Sequence, residues 1–447
     1  MEEENAIFPR QKLIRLLVPL FIEQILAVTI SIADTMMVAS CGETAVSAVS
    51  LVAQINILII YMFSALAAGG AVVSAQYIGR KDLQNARITA KQLLYLCTAV
   101  STVIAVVIVS FRGPLFGAVY GNIEKDVMDS CKIYLFFTAI DYPFIAIYNT
   151  CAALFRSNGN SRVSMLISTL MNGINMAGNA YFIYVAGLGV AGAAIATLIS
   201  RIVGATIILS LMLRPRDGMY IEKVYQPVVR WDMIKRILKI GVPNGMENSM
   251  FQFGKLIVAS MITTFGTSAI AANAVCNNIS TFAIMPGTAI GLGMVTVVGQ
   301  CVGAEEYGQA IKYTRKLMTY MYIGMFIMNM TIFFAASQVL RLYNLSPEAY
   351  AGAYHILRIY TFISAAIWPI AFGLPNALRA SGDTRFTMVI SIVSMWVFRI
   401  GCSYLLALGF GLKLDGVWFG MYIDWVFRSS IFILRFARGK WKEKRVI

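Results

Sequence analysis

The chain has 447 residues, of which 58% are hydrophobic and only 13% are charged, and its formal net charge at pH 7 is +15. With a mean hydropathy of +0.71, this composition excludes a set of soluble globular domains and indicates an integral membrane protein. The basic residues are spread over many loops and are not interleaved with aromatic residues in one patch. The positive charge therefore does not indicate a nucleic-acid-binding protein.

Apolar runs of about 20 residues, the length that crosses a bilayer, recur from Leu13 to Phe436. They predict an all-α integral membrane protein with about twelve transmembrane helices, because a barrel would show short strands of alternating hydropathy instead. Six helices fall within residues 13–213 and six within 237–437. The predicted domains are an N-terminal lobe (1–213), a cytoplasmic linker (214–236) and a C-terminal lobe (237–447) that ends in a basic tail.

Lysine and arginine residues concentrate in alternate loops. Arg80 and Lys81 follow the second span, Arg156 and Arg162 follow the fourth, and further basic residues fill segments 214–239 and 435–445. By the positive-inside rule these loops are cytoplasmic. An even number of spans then places both termini in the cytoplasm, and we expect a multi-pass protein of a prokaryotic plasma membrane, the bacterial inner membrane.

The two halves of the chain share a sequence repeat. Three features recur at a constant offset of 224: Pro19 with Glu23, the run Gln76-Tyr77-Ile78-Gly79, and Ala86 return as Pro243 with Glu247, Gln300-Cys301-Val302-Gly303, and Ala310. Two more features recur at slightly different offsets: the loop Arg156 to Arg162 returns as Arg379 to Arg385 at an offset of 223, and Gly189-Val190 with Arg201 is matched at an offset of 227 by Gly416-Val417 with Arg428. Two six-helix blocks of equal orientation predict lobes related by a pseudo-two-fold axis along the membrane normal, with the transport site between them.

Several motifs stand at fixed places within this repeat. They are Ala33-Asp34-Thr35 late in the first helix, Ser74-Ala75-Gln76-Tyr77-Ile78-Gly79 at the end of the second, an Arg-x-x-Gly-x-x-Arg loop in both halves, and Gly189-Val190-Ala191-Gly192 at the start of the sixth. In this order the motifs resemble the multidrug and toxic compound extrusion (MATE) family over nearly the whole chain. The resemblance implies a twelve-helix, two-lobed transporter that exports cationic or amphipathic compounds in exchange for protons or sodium ions.

A polar constellation in the first lobe is the predicted cation-coupling site. Asp34 is isolated in an apolar helix, Asn175 and Asn179 lie on one face of the fifth span, and Thr197 adds a hydroxyl in the sixth. One carboxylate, two amides and a hydroxyl suit a proton or a hard cation. The resemblance implies the same site, with one departure: many members carry a second aspartate where this chain has Asn179. We therefore expect protons to be favoured, with sodium bound by Asp34, Asn175 and Asn179 as the alternative.

Other ionisable residues in the spans need partners, because each costs about 2.5–3.5 kcal/mol at the centre of a membrane helix. Glu23 and its repeat Glu247 are expected to serve either structure or substrate binding, and Lys255 is expected to pair with Glu247 or to bind substrate. Asp424 and Arg428 stand four residues apart and can form an ion pair on one helix. Arg201 and Arg428 are expected to be anchors that reach the cytoplasmic interface.

These observations predict a cation-coupled antiporter working by alternating access, and not an enzyme. The alternative is a lipid-linked oligosaccharide flippase of the same superfamily, whose cavity should carry several cations. The sequence has one histidine, scattered cysteines without metal-ligand spacing and no GxxxxGK[ST] loop, which leaves little chemistry for a membrane enzyme or an ATP-driven pump. We expect no cofactor besides the coupling ion. The expected partners are small-molecule substrates and membrane lipids but no nucleic acid, and the chain is expected to act as a monomer.

Overall fold

The computed structural model describes residues 6–120, 124–215, 218–222, 224–226, 228–444 and 446–447, and these residues are almost entirely helical. The first half contains helices α1 (Arg10–Ala39), α2 (Glu43–Gly79), α3 (Leu83–Tyr120), α4 (Lys125–Ser157), α5 (Ser161–Asn179) and α6 (Gly189–Leu213). The second half contains α7 (Trp231–Thr263), α8 (Thr267–Ala283), α9 (Met285–Gly303), α10 (Tyr307–Arg341), α11 (Pro347–Trp368), α12 (Leu374–Ala380), α13 (Thr384–Ser394) and α14 (Lys413–Ala437). Basic residues of the predicted cytoplasmic segments at Arg216, Lys223 and Arg445 lie outside the described residues.

The described residues contain twelve helical segments that are long enough to count as membrane spans. Ten of them are long and apolar enough to cross a membrane by length and composition, with α11 continuing into α12 and α13 continuing to Gly409. The remaining two are α5, which is rich in asparagine, and α7, which carries several charges. Here α8 and α9 count as one span because only Ile284 separates them. The prediction of an all-α fold with about twelve transmembrane helices is confirmed.

The repeat is visible in the backbone as well as in the sequence. Residues with positive φ recur at the same turns: Gly42 and Gly266, Lys81 and Glu305, Gly159 and Gly382, Gly187 and Gly411, and Gly189 and Lys413. The last two of these pairs, which mark the turns before α6 and α14, each have an offset of 224. The predicted offset of 227 for this last helix is therefore wrong by nearly one helical turn, and Arg201 and Arg428 do not occupy equivalent positions.

The offset of the repeat changes from 223 to 224 between the loop before α13 and the loop before α14. The second half absorbs its extra residue in wider helical turns. α5 continues through a single π-helical segment, Ala180–Val185, whereas α13 continues through two, Met395–Cys402 and Leu405–Gly409. A π turn accommodates an inserted residue without ending the helix, and such turns are frequent at functional sites. Arg399 lies in the first of the two segments.

The described residues divide into two compact units, and the division along the chain falls within α7. One contains Arg10–Gly245, and the other contains residues 6–9 together with Met246–Ile447. The sequence placed the lobe boundary in the linker, at 214–236. The first part of α7 instead belongs with the first unit, because it packs tightly on α2. An added Cβ on Gly69 would come within 2.7 Å of the Gly241 nitrogen and 2.8 Å of the Ile237 oxygen.

Short segments at the ends of each unit are held by hydrogen bonds. In the second unit, the Tyr313 hydroxyl donates to the Phe8 carbonyl over 2.8 Å and accepts from the Phe8 amide over 3.2 Å. In the first unit, the linker is bound to α3, since the Arg87 guanidinium donates to the Gly218 carbonyl at 3.0 Å and 3.2 Å. The linker is thus part of the first unit's structure.

Candidate functional site

The four residues predicted to form the cation-coupling site are brought together in the first unit. The Asn179 amide nitrogen donates a hydrogen bond to Asp34 Oδ1, from α5 to α1. The same amide lies 3.4 Å from Asn175 Oδ1, and Asn175 Nδ2 donates to Thr197 Oγ1 on α6 over 3.0 Å. Asp34, Asn179, Asn175 and Thr197 therefore form one continuous chain of hydrogen bonds across three helices.

Asn179 lies between Asp34 and Asn175 in this chain of hydrogen bonds. Its side chain is fully buried, and its Oδ1 atom has no hydrogen-bond partner among the residues that the structure describes. Asn172, about one turn before Asn175 on the same face of α5, donates instead to Ser168 on its own helix, over 3.5 Å. Asn179 Oδ1 is thus an unused buried acceptor, the kind of atom that would accept a hydrogen bond from a protonated carboxyl group or coordinate a small cation.

A fully buried acid in the same unit was not predicted. Asp141, in α4, is 0% exposed and forms an ion pair with Arg201 of α6. The prediction that Arg201 reaches the cytoplasmic interface as an anchor is therefore wrong. Its guanidinium is held inward because a buried carboxylate needs a cationic partner. Asp141 stands in an apolar stretch of sequence, and that isolation was the signal that could have identified it.

The charges of these groups do not cancel. Arg201 bonds directly to Asp141 and lies within electrostatic range of Asp34, which it does not contact. Two carboxylates therefore share one cation, and one negative charge remains to be compensated. An uncompensated carboxylate in a low-dielectric site either takes up a proton or binds a cation. The described residues hold no group of three or more His, Cys, Asp or Glu side chains for a metal ion, so sodium would depend on Asp34 with amide and hydroxyl oxygens.

Glu23 and Glu247 form equivalent ion pairs in the two units. Glu23 Oε1 lies 3.7 Å from Arg156 Nη1, and Glu23 Oε2 accepts a hydrogen bond from Ser164 over 2.9 Å. In the second unit, Glu247 Oε1 lies 2.6 Å from Arg379 Nη2. Both arginines begin the repeated Arg-x-x-Gly-x-x-Arg loop. The pairs fasten that loop to α1 and α7, which indicates a structural role.

The predicted pairing of Glu247 with Lys255 is wrong. Glu247 is already engaged by Arg379, and the ammonium of Lys255, two helical turns along α7, instead lies 5.0 Å from the centre of the Phe251 ring. Lys255 forms no ion pair with any residue that the structure describes, and its side chain is exposed. The eight-residue spacing is about 12 Å along a helix, too long for a direct contact between these side chains.

Asp424 is a buried acid of the second unit that lies close to two arginines. It is 0% exposed, lies 3.3 Å from Arg428 on the same helix, and accepts a hydrogen bond from Ser394. The predicted pair of Asp424 and Arg428 is confirmed. The predicted interfacial role of Arg428 is wrong, because its side chain is only 3% exposed. A second guanidinium, that of Arg399, lies 3.9 Å from Asp424 Oδ2 and was not predicted.

Comparison with known proteins supports the sequence repeat and the fold. The family model MatE matches residues 19–182 and 243–405, one match in each half. The chain is 26% identical over 445 residues to the probable multidrug resistance protein NorM of Thermotoga maritima, covering 98% of this chain and 94% of that protein. It is 28% identical over 437 residues to the uncharacterized transporter YisQ of Bacillus subtilis, with 95% and 94% covered.

Solved structures show the same fold. One, described as the outward-facing conformation of a multidrug resistance MATE family transporter, superposes with a TM-score of 0.88 at 21% identity over 97% of this chain and 96% of that one. Another is a transporter from Pyrococcus furiosus described as having a binding pocket of reverse polarity, with a TM-score of 0.87 at 22% identity and coverage of 98% and 95%. The two family matches together span most of the chain, and the chain therefore belongs to the MatE family of multi-pass membrane transporters.

Proposed function

We propose that this protein is a cation-coupled antiporter of a prokaryotic plasma membrane, which exports cationic or amphipathic small molecules by alternating access. The observation that carries the proposal is the uncompensated carboxylate of Asp34 at the end of the hydrogen-bonded chain through Asn179 and Asn175. Relatives named as multidrug resistance proteins support the substrate class. An ionisable residue within a membrane helix is by default a candidate functional residue, because the free-energy cost of placing it there is retained only where the residue has a function.

Asn179 gives Asp34 a partner in both protonation states. The ionised carboxylate accepts from the amide nitrogen, as the structure has it. A protonated carboxyl group becomes a donor, and half a turn of the amide presents Oδ1, which is otherwise unpartnered, as its acceptor. The Asp34 carboxyl group can therefore gain and lose one proton and keep Asn179 as its hydrogen-bond partner in both states. This exchange supports protons as the coupling ion.

Sodium is the second candidate for the coupling ion. It would require Asp34, Asn175 and Asn179 to turn their oxygens toward one point, whereas Asn175 Oδ1 now faces the Asn179 amide and Thr197 Oγ1 accepts from Asn175. One carboxylate supplies less charge than the two that hold a hard cation well. Either ion acts by the same linkage: its binding must weaken the hold on substrate, and the substrate must weaken the hold on the ion to the same degree.

The proposal is tested in proteoliposomes by imposing a pH gradient and a sodium gradient separately. Asp34→Asn should abolish uptake driven by either gradient while substrate binding and expression stay near those of the unmodified protein. Asn172→Ala is the matched control, since Asn172 lies on the same helix face but outside the hydrogen-bonded chain. Full gradient-driven transport by Asp34→Asn would overturn the assignment of the coupling carboxylate.

One observation also favours the flippase of lipid-linked oligosaccharides as a second candidate. Such a protein would need several cations for a pyrophosphate group, and Lys255, Arg399 and Arg428 all lie near one ring, that of Phe251. The Pyrococcus furiosus transporter is described as having a pocket of reverse polarity that suggests a different function, so polarity varies among proteins of this fold. Transport of a fluorescent pyrophosphate lipid between leaflets without any ion gradient would favour the flippase.

A further inference from the structure

The second unit contains three cations around one aromatic ring. The distances from the Phe251 ring centre are 5.0 Å to Lys255 Nζ, 5.1 Å to the Arg399 guanidinium and 5.9 Å to the Arg428 guanidinium. Lys255 is on α7, Arg399 on the π-helical continuation of α13, and Arg428 on α14. Three separate helices therefore deliver positive charge to one place within the membrane-spanning part of the unit.

The acids nearby do not neutralise this cluster of Lys255, Arg399 and Arg428. Asp424 is the single carboxylate that contacts it among the described residues, through Arg428 at 3.3 Å and Arg399 at 3.9 Å. Glu247, the nearest acid on α7, is bound to Arg379 instead. Three cations then face one anion. Like charges this close repel strongly when water is scarce, and their assembly needs a compensating anion.

Unused hydrogen-bond donors point to the same conclusion. In and beside the cluster, three buried nitrogen atoms lack a hydrogen-bond partner among the described residues: Arg399 Nη1, which lies 3.9 Å from Asp424 Oδ2, Arg428 Nε and the indole nitrogen of Trp425. Each is a donor, and none can be satisfied by a cation. Buried donors in a native structure are almost always paired. A ligand that supplies several acceptor oxygens would satisfy them, and a phosphate, sulfonate or carboxylate group has this property.

Aromatic rings next to the cluster can hold the apolar part of such a ligand. Phe372 lies 5.0 Å from the Arg428 guanidinium and 5.8 Å from the Trp425 ring, while Tyr360 lies 6.0 Å from Trp425. Lys255 is exposed, whereas the Arg399 and Arg428 side chains are only 11% and 3% exposed, so a ligand would reach the cluster from the Lys255 side. The arrangement combines a charged end and an apolar wall, which are the two parts of an amphipathic molecule.

We infer that the cluster of Lys255, Arg399 and Arg428 in the second unit binds the anionic group of an amphipathic substrate. The inference rests on the proposed function, because it takes the bound molecule to be the exported one. The assigned chemistry is an oxyanion attached to an apolar or aromatic body. Within the cationic or amphipathic compounds that the family resemblance implies, it favours amphipathic anions over cations.

The test compares two probes with the same skeleton and different charge. Anilinonaphthalene sulfonate carries one sulfonate, and phenylnaphthylamine has the same rings without it. Binding to the protein in nanodiscs of uncharged phosphatidylcholine is followed by energy transfer from tryptophan, since Trp425 packs beside the cluster. The sulfonate should bind about 10- to 100-fold more tightly than the neutral probe, the range of one or two charge-assisted hydrogen bonds.

Lys255→Gln and Arg399→Gln should each reduce this preference about tenfold or more. Neither change should unfold the protein. Lys255 is exposed, and in the Arg399 variant Asp424 retains its ion pair with Arg428 and its hydrogen bond from Ser394. The matched control is Arg358→Gln, which removes an exposed cation lying 4.9 Å from the Phe333 ring in the same unit. Equal binding of the two probes, or equal losses in the Arg358 and Arg399 variants, would overturn the inference.

Two further measurements identify the source of the anion and separate this inference from the proposed function. Competition by phosphatidylglycerol in the nanodiscs would assign the site to a lipid headgroup, and its absence would assign the site to a free amphiphile. In proteoliposomes, gradient-driven uptake of the sulfonate supports the inference. Uptake of a cationic amphiphile but not of the sulfonate would overturn it while leaving the antiporter intact. Uptake of neither probe would instead contradict the proposed function.

Discussion

The charge balance of the first unit predicts that one substitution can be rescued by another. Asp141→Asn removes one of two carboxylates and releases Arg201, which then faces Asp34 alone within its electrostatic range. The net charge of the three groups rises from one negative to zero. Because Asp34 would then hold a permanent guanidinium partner, it would no longer need a proton. Asp141→Asn should therefore lose transport driven by a pH gradient.

The double change Asp141→Asn with Arg201→Gln should restore that transport. It removes one charge of each sign and returns the site to the single negative charge of Asp34. Asp34 itself is untouched, so its bond to Asn179 remains. Arg201→Gln alone, by contrast, leaves both carboxylates without a cation and should raise the proton affinity of the site as a whole.

The two single changes should differ in their cost to stability. Arg201→Gln strands Asp141, which is 0% exposed, so we expect a loss of about 3–5 kcal/mol in the free energy of unfolding, limited by protonation of the acid. Asp141→Asn leaves a guanidinium whose side chain is 22% exposed, and the loss should be smaller. The double change should recover most of either loss.

These effects are measured by pH-gradient-driven uptake in proteoliposomes and by denaturant unfolding in mixed micelles. Expression and folding of each variant are checked first, so that lost uptake is not lost protein. A double variant with no more transport and no more stability than Asp141→Asn alone would refute the argument. It would mean that Arg201 does not control the charge of Asp34.

Two further predictions concern the coupling ion and helix packing. Asn179→Asp adds a second carboxylate beside Asp34, so uptake driven by a sodium gradient at constant pH should increase; unchanged sodium dependence would show that charge does not decide the ion. Gly69→Ala should lower the free energy of unfolding by about 1–3 kcal/mol, because its Cβ would come within 2.9 Å of backbone atoms of Gly241 and Ile237. Gly173→Ala, where nothing lies within 4 Å of the new Cβ, should be nearly neutral; equal losses would contradict the packing argument.

The repeat and the polar residues of the first unit could be predicted from sequence for a physical reason. Asn175 and Asn179 are four residues apart on one helix, so their side chains must share a face whatever the tertiary structure. Asp34 is isolated in an apolar helix and must find polar partners, and the other spans of the first half offer few polar side chains besides these. Helical periodicity and the cost of burying a charge together limited the residues that could form the site.

The ion pairs between helices could not be predicted in the same way. Glu247 and Lys255 were joined because they are close in sequence, whereas Arg379, the actual partner of Glu247, is 132 residues away. Only the packing of helices brings such residues together. The repeat nevertheless indicated this pairing, because a glutamate and an arginine recur together in both halves.

Arg399 was missed for a different reason. It lies in the π-helical segment Met395–Cys402, where the extra residue of the second half changes which face each following side chain occupies. A helical wheel with a uniform 3.6-residue period would therefore place it wrongly. The two halves also differ in polarity at equivalent positions. At an offset of 224, Asn175 of the hydrogen-bonded chain corresponds to Arg399 of the cationic cluster.

The opposite polarities of the two units lead to a prediction about the membrane potential. If one proton enters for each anion that leaves, both movements carry charge in the same sense, and each cycle transfers two elementary charges. Each charge is worth about 2.3 kcal/mol per 100 mV, so a potential of that size supplies about 4.6 kcal/mol per cycle. That energy corresponds to an accumulation of more than about a thousandfold.

A cation exchanged for one proton transfers no net charge and gains nothing from the potential. The two cases are separated in proteoliposomes by setting a potassium diffusion potential with valinomycin, with equal pH on both sides. The anionic probe should accumulate on the positive side with the unmodified protein and should not do so with Asp34→Asn, because coupling to the proton is lost. If the potential moves none of the anionic probe while a pH gradient drives uptake of a cationic amphiphile, the exported molecule carries a positive charge, and the cations around Phe251 serve the fold alone.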